Sequence, residues 1–160
     1  MSSGLSDYRD LLPRGDADAL HIELTDGAIL VAGRYALIMI REGEVIDSAM
    51  WYEVQSARWE GEKQALSVSW VDPARSPLVV HSSHSPMRPF MEDISEKVNR
   101  TQVQVRSVKA PNGAVITAQI RKREDGELFS VLAARGRLDD EAMELAHSLE
   151  KQLRESVGLE

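Results

Sequence analysis

The side chains in this sequence with spacing suited to metal chemistry are those of His81-Ser82-Ser83-His84. Two imidazoles three positions apart can reach one ion from a tight turn, and Glu92 or Asp93 could add a third ligand. The same segment also reads as a strand running into a Ser/Pro loop, where polar residues are common for structural reasons. His81 and His84 are therefore carried as a metal candidate only, and no metal or other cofactor is expected. Of the other histidines, His147 is expected to face solvent and His21 to be structural. A second constellation is Arg106, Gln119, Arg121 and Arg123, joined by Gln104 and Thr117. Guanidinium forks held on strands can take carboxylate or phosphate groups. Trp51, beside Tyr52 at a strand junction, is the tryptophan expected to be partly exposed. It completes the candidate ligand-binding set of Arg106, Gln119, Arg121, Arg123 and Trp51. The alternative for the strand residues is a solvated sheet face, which antiparallel sheets often present.

Motifs for covalent chemistry are missing. The sequence contains no Gly-x-Ser-x-Gly, P-loop, Gly-x-Gly-x-x-Gly or His-Glu-x-x-His. It contains no cysteine, which excludes disulfides, thiolate zinc sites and thiol nucleophiles. Carboxylate pairs such as Glu60/Glu62 and Asp139/Asp140 flank a turn or a helix start, where acids are stabilised for structural reasons. An enzyme is not expected.

Charge is unevenly spread. The net −7 of the chain divides into −8 over residues 1–96, +6 over 97–137 and −5 over 138–160. A basic segment between acidic ones could meet an anionic partner, or the acidic regions could neutralise it. Because the whole chain is acidic, nucleic acid is not the expected partner. The longest apolar runs, Ala28 to Ala32 and Ala36 to Ile40, have five residues each, so no transmembrane helix is expected. MSSGLSDYRD lacks a basic region followed by an apolar stretch, so no secretory signal is expected and a cytoplasmic location is.

The elements that must position these residues follow from the turns. Residues 1–16 show no periodicity and read as a flexible N-terminal arm. Turn signals then recur at Asp26-Gly27, Glu42-Gly43, Glu60-Gly61, Asn112-Gly113 and Asp125-Gly126. Between them lie seven candidate strands, near 17–24, 28–33, 35–41, 44–50, 53–59, 64–71 and 77–82. A helix follows to about Arg100, with Ser85 as its N-cap, Pro86 at its first position, and Phe90, Ile94 and Val98 as its apolar stripe. Three more strands are expected near 102–110, 114–123 and 127–135, then a helix from Asp140 to Val157 capped by Asp139.

If Asn112-Gly113 and Asp125-Gly126 are both two-residue turns, the last three strands have one apolar face. It holds Val103, Val105, Ile116, Ala118, Ile120, Phe129, Val131 and Ala133. Arg106, Gln119, Arg121 and Arg123 then share the opposite face.

The fold class is thus α+β and rich in antiparallel strands. A seven-strand meander plus helix over residues 17–101 precedes a βββα extension over 102–160, expected to pack on it as one compact unit. The stretch GRYALIMIREGEVIDSAMWYEVQSARWEGEKQALSVSW resembles bacterial pleckstrin-homology-like domains, with Tyr52-Glu53-Val54 leading into a Trp-bearing hairpin. The chain also resembles a group of small uncharacterised proteins of high-GC Gram-positive bacteria. The pleckstrin-homology-like resemblance implies binding of peptides, proteins or lipid headgroups, and no catalysis. The acidic turns at Asp26, Glu42 and Glu44 depart from the basic loop of lipid-binding members. The expected function is a non-enzymatic interaction module with a protein partner, through a sheet edge or the Arg-bearing face, and a homodimer is open. The alternative is an anion- or nucleic-acid-binding protein using the basic 97–137 segment.

Overall fold

The computed structural model describes residues 8–159. It divides into two compact units, Met1–Asn99 and Arg100–Glu160. Its class is α+β, with antiparallel sheets of four, three and three strands and two α-helices.

In the first unit, β1 (Leu20–Glu23), β2 (Ile29–Ala32), β3 (Ala36–Arg41) and β4 (Glu44–Met50) form a four-stranded sheet in chain order. After a short 3-10 turn at Trp51–Glu53, β5 (Val54–Glu60), β6 (Ala65–Trp70) and β7 (Leu78–His81) form a second meander. The seven expected strands are all present, each shorter than or equal to its sequence estimate. Helix α1 (Arg88–Thr101) follows. The main core joins the two sheets and α1, through Ile22, Leu30, Leu66, Val68, Phe90 and Ile94. Each such side chain contributes about 1.5–3 kcal/mol by leaving water.

The outer face of the four-stranded sheet is covered as well. Val31, Ile38 and Ile40 pack there with Tyr8, while Leu12 and Ala19 lie against them. This explains why β2 and β3 are continuous apolar runs and do not alternate, since a strand buried on both faces has no solvent side. It also alters the expected N-terminal arm. Residues 1–7 lie outside the described residues, but Tyr8 is buried and bonds through its hydroxyl to His21 Nδ1 at 3.2 Å. Asp16 is buried too, and its Oδ1 accepts the Arg34 N–H at 3.0 Å. Gly33 lies against that carboxylate, where an added Cβ would stand 2.6 Å from Asp16 Oδ2 and 2.8 Å from the Ala36 carbonyl. Close backbone approach requires glycine at this position.

Helix α1 begins at Arg88, so Ser85 is not its N-cap. The Ser85–Pro86 peptide is cis, and Pro89 occupies the first turn, where a missing N–H breaks no helical bond.

The second unit contains β8 (Gln102–Lys109), β9 (Val115–Lys122) and β10 (Leu128–Arg135) in the order β10-β9-β8, then α2 (Asp140–Ser156). Asp139 caps α2, its Oδ1 accepting the Ala142 N–H at 2.8 Å. The helical spacing predicts a stripe of Ala142, Leu145, Ala146, Leu149, Leu153 and Val157; Ala142, Ala146, Leu149 and Leu153 are buried, and Leu145 and Val157 partly so. The stripe packs on Ile116, Ala118 and Ile120.

The register differs from expectation because the Asx-Gly turns are one residue longer than two-residue turns. In each, the residues flanking a three-residue loop pair: the N–H groups of Leu24, Ala110 and Arg123 donate to the carbonyls of Ala28, Ala114 and Glu127. Gly27, Gly113 and Gly126 take φ of 93°, 92° and 89°. The side chains of Asp26, Asn112 and Asp125 accept the N–H two residues on, at 3.0, 3.0 and 2.8 Å. This is a type I turn closed by a glycine bulge, with the Asx side chain fixing its first half. One extra residue per loop moves every side chain of the flanking strand to the other face. Val105, Phe129, Val131 and Ala133 therefore lie with Gln119 and Arg121, opposite Ile116, Ala118 and Ile120. Among the described residues, no helix is long and apolar enough to cross a membrane.

Candidate functional site

The structure separates the expected ligand-binding residues. The three-residue loop at Asn112-Gly113, with unbroken pairing from Lys109–Val115 to Arg106–Ala118, sets Arg106 on the α2 side of the sheet. Gln119 and Arg121 lie on the other side. Arg121 is fully buried and Gln119 nearly so. The Arg121 guanidinium donates to Gln119 Oε1 at 3.0 Å and to Thr101 Oγ1 at 2.7 Å. Burial pushes its pKa below the ordinary arginine value, and hydrogen bonds to oxygen acceptors hold such a charge in place. Arg123 is exposed and stacks 4.9 Å from the centre of the Phe129 ring. Trp51, expected at the surface, is 3% exposed, and its indole N–H donates to the Gly33 carbonyl at 2.8 Å. Buried side chains with internal hydrogen bonds cannot meet a ligand from solution, so these residues do not form one surface site.

The histidine candidates fare differently. His81 ends β7 and its carbonyl accepts the Thr25 N–H at 2.9 Å. Ser82 beside it is fully buried, donating to the Glu23 carbonyl at 2.6 Å and accepting the His84 N–H at 3.1 Å. Both imidazoles are exposed. Asp93 is engaged by Lys97. Among the described residues, no group of three or more His, Asp or Glu side chains is arranged to hold a metal. The segment's polar residues close β1 against β7.

A surface that the sequence did not single out is the outer edge of β8. This strand ends its sheet, and its eight residues run Gln-Val-Gln-Val-Arg-Ser-Val-Lys. Val103 to Ser107 are exposed without interruption, with Val103 at 42% and Val105 at 55%. Among the described residues, no strand pairs with this edge. Every second residue of an edge strand turns its N–H and C=O outward, which makes such an edge a template for another strand. Cross-strand register puts Lys109, Val115 and Arg135 in one row on the sheet face away from α2, next to the row of Ser107, Thr117 and Ala133. Arg106, Lys109, Arg135 and Arg137 are all exposed and form none of the ion pairs among the described residues. The sequence held one signal of this edge. Val103 and Val105 share one parity while Val108 has the other, so strict alternation cannot bury all three.

No family model matches the chain. No curated protein matches it. Among solved structures it is similar to the complex of the FERM and C-terminal domains of Drosophila Merlin, at 13% identity and a TM-score of 0.41. That likeness takes in 50% of this chain and 28% of the other.

Proposed function

We propose that the chain is a non-enzymatic interaction module that binds a protein partner by accepting one of its strands at the edge of β8. The observation that carries this is an eight-residue edge strand with no neighbour among the described residues and with Val103 and Val105 open to solvent. Added strands gain affinity from main-chain hydrogen bonds and specificity from alternate side chains, and such a mode needs no activated group. The pleckstrin-homology-like relationship of residues 17–101 and a bacterial, cytoplasmic setting belong to the same proposal.

A second reading has its own support. The unpaired Lys109 and Arg135 in one row favour an anionic ligand, nucleic acid included, bound by the basic 97–137 segment. The two readings separate in one experiment. Amide hydrogen exchange of the full chain is recorded with and without an extended, uncharged Thr/Val peptide and with an oligonucleotide. Strand addition protects alternate amides of β8 with little salt dependence. Phosphate binding leaves those amides exchanging and weakens steeply as salt rises. Unchanged β8 exchange with the peptide would overturn the first reading.

A further inference from the structure

We infer that the strand taken up by β8 is acidic, with carboxylates three positions apart, and comes from another protein and not from a second copy of this chain. This rests on the strand-addition reading above and adds the chemistry of the partner. The charged side chains of β8 are Arg106 and Lys109, and the strand has no acid. Both are exposed, and neither forms an ion pair among the described residues. They project to opposite faces, since Arg106 shares its row with Ala118 and Lys109 with Val115.

An incoming strand places one side chain directly opposite each of them, close enough for opposite charges to attract and like charges to repel. In antiparallel pairing, the residue opposite Lys109 is followed three positions later by the one opposite Arg106 and then by the one opposite Val105. The fitting segment therefore carries an acid, two uncharged residues, a second acid and a branched apolar residue. A residue with a small hydroxyl side chain suits the place opposite Ser107, which already pairs its hydroxyl with Thr117 at 2.8 Å.

The charges also argue against self-pairing. Two β8 edges would bring together only cations. The acids of β4, Glu44 and Asp47, have the right spacing, but Ile46 between them is bulged out of register. Asp47 is also bonded to Arg75 at 3.0 Å. A bulge on an edge strand is a device that blocks pairing.

The test uses the full chain and two labelled peptides built around Glu-Val-Thr-Glu-Val and Lys-Val-Thr-Lys-Val. Anisotropy reads affinity and hydrogen exchange reads protection of β8. The Glu peptide is expected to bind about tenfold tighter than the Lys peptide. In the double variant Arg106→Glu/Lys109→Glu that order should reverse, a gain of binding that a misfolded variant could not produce. A preference that does not reverse would overturn the inference, as would equal binding of a peptide with its two acids adjacent. So would an oligonucleotide that displaces the Glu peptide while leaving β8 amides unprotected, which would assign the cations to nucleic acid. A mass that doubles with concentration and returns to that of one chain in Glu44→Lys would assign the edge to a second copy. If all peptides, charged or neutral, leave β8 unprotected, strand addition itself fails. If the neutral peptide alone protects β8 as well as the Glu peptide, only the charge requirement fails.

Discussion

The four-stranded sheet of the first unit and the three-stranded sheet of the second are covered in different ways. On β2, the neighbours Leu30 and Val31 point to opposite faces and both are fully buried, one in the main core and one against Tyr8. On β9, the neighbours Ile116 and Thr117 also point to opposite faces, but only Ile116 is buried, under α2. Beyond Thr117 on that second face, Val105, Ser107 and Lys109 lie open, whereas Gln119 and Arg121 are buried. At β2 the first sheet is thus a structural layer buried on both faces, and its solvent-facing part is the bulged edge strand β4 with Val45 and Ile46. The second keeps part of one face and one edge in solvent, and interaction surfaces are drawn from such places.

Adjacent substitutions on the two sheets test this difference in coverage, followed by two probes. All three tryptophans lie at positions 51, 59 and 70, so tryptophan fluorescence reports the first unit, and hydrogen exchange must follow the second. The largest effects are expected from Leu30→Ala and Ile116→Ala, each costing its own unit about 2–5 kcal/mol in denaturant unfolding. Their neighbours should diverge. Val31→Ala is expected to cost about 1.5–2 kcal/mol at roughly 0.8 kcal/mol per buried carbon. Thr117→Ala should cost under about 1 kcal/mol, its hydroxyl bond to Ser107 being exposed. Equal costs at positions 31 and 117 would erase the contrast between the sheets.

Arg121→Ala tests the buried part of the second sheet's open side. Removing the guanidinium leaves Gln119 and Thr101 without a donor that now bonds both, and about 1–3 kcal/mol of protection should be lost from β9 amides. A change below a few tenths of a kcal/mol would mean that Arg121 behaves as a surface residue.

The smallest effect concerns the first Asx-Gly turn. The Ala28 N–H, and after it Arg41, hold the Asp26 carboxyl below its ordinary pKa. A lowered carboxylate pKa contributes stability above the ordinary value, and that contribution is lost as pH falls through the folded one. Asp26→Asn keeps an acceptor for Ala28, as Asn112 does in its own turn, but removes the charge. The variant should trail the natural chain by a few tenths of a kcal/mol at about pH 7 and match it at about pH 2, read from urea midpoints.

Local sequence determined most of the elements. Glycines at positive φ after Asp or Asn mark the turns, alternation marks β6, and a capped 3.6-residue period marks α2, because each signal acts within a few residues. The unbroken apolar runs of β2 and β3 fit their double coverage, but Tyr8 and Leu12, which provide it, lie in the segment expected to be a flexible arm. Local sequence could not determine register. A two-residue turn and a three-residue turn with a glycine bulge share the same Asx-Gly signature, yet they send the flanking strand's side chains to opposite faces. That single residue separated Arg106 from Arg121 and put Val105 in solvent. The burial of Trp51, Gln119 and Arg121 was likewise decided by tertiary structure. A polar group goes inside only when partners distant in the chain, such as Gly33 for Trp51 and Thr101 for Arg121, arrive to bond it.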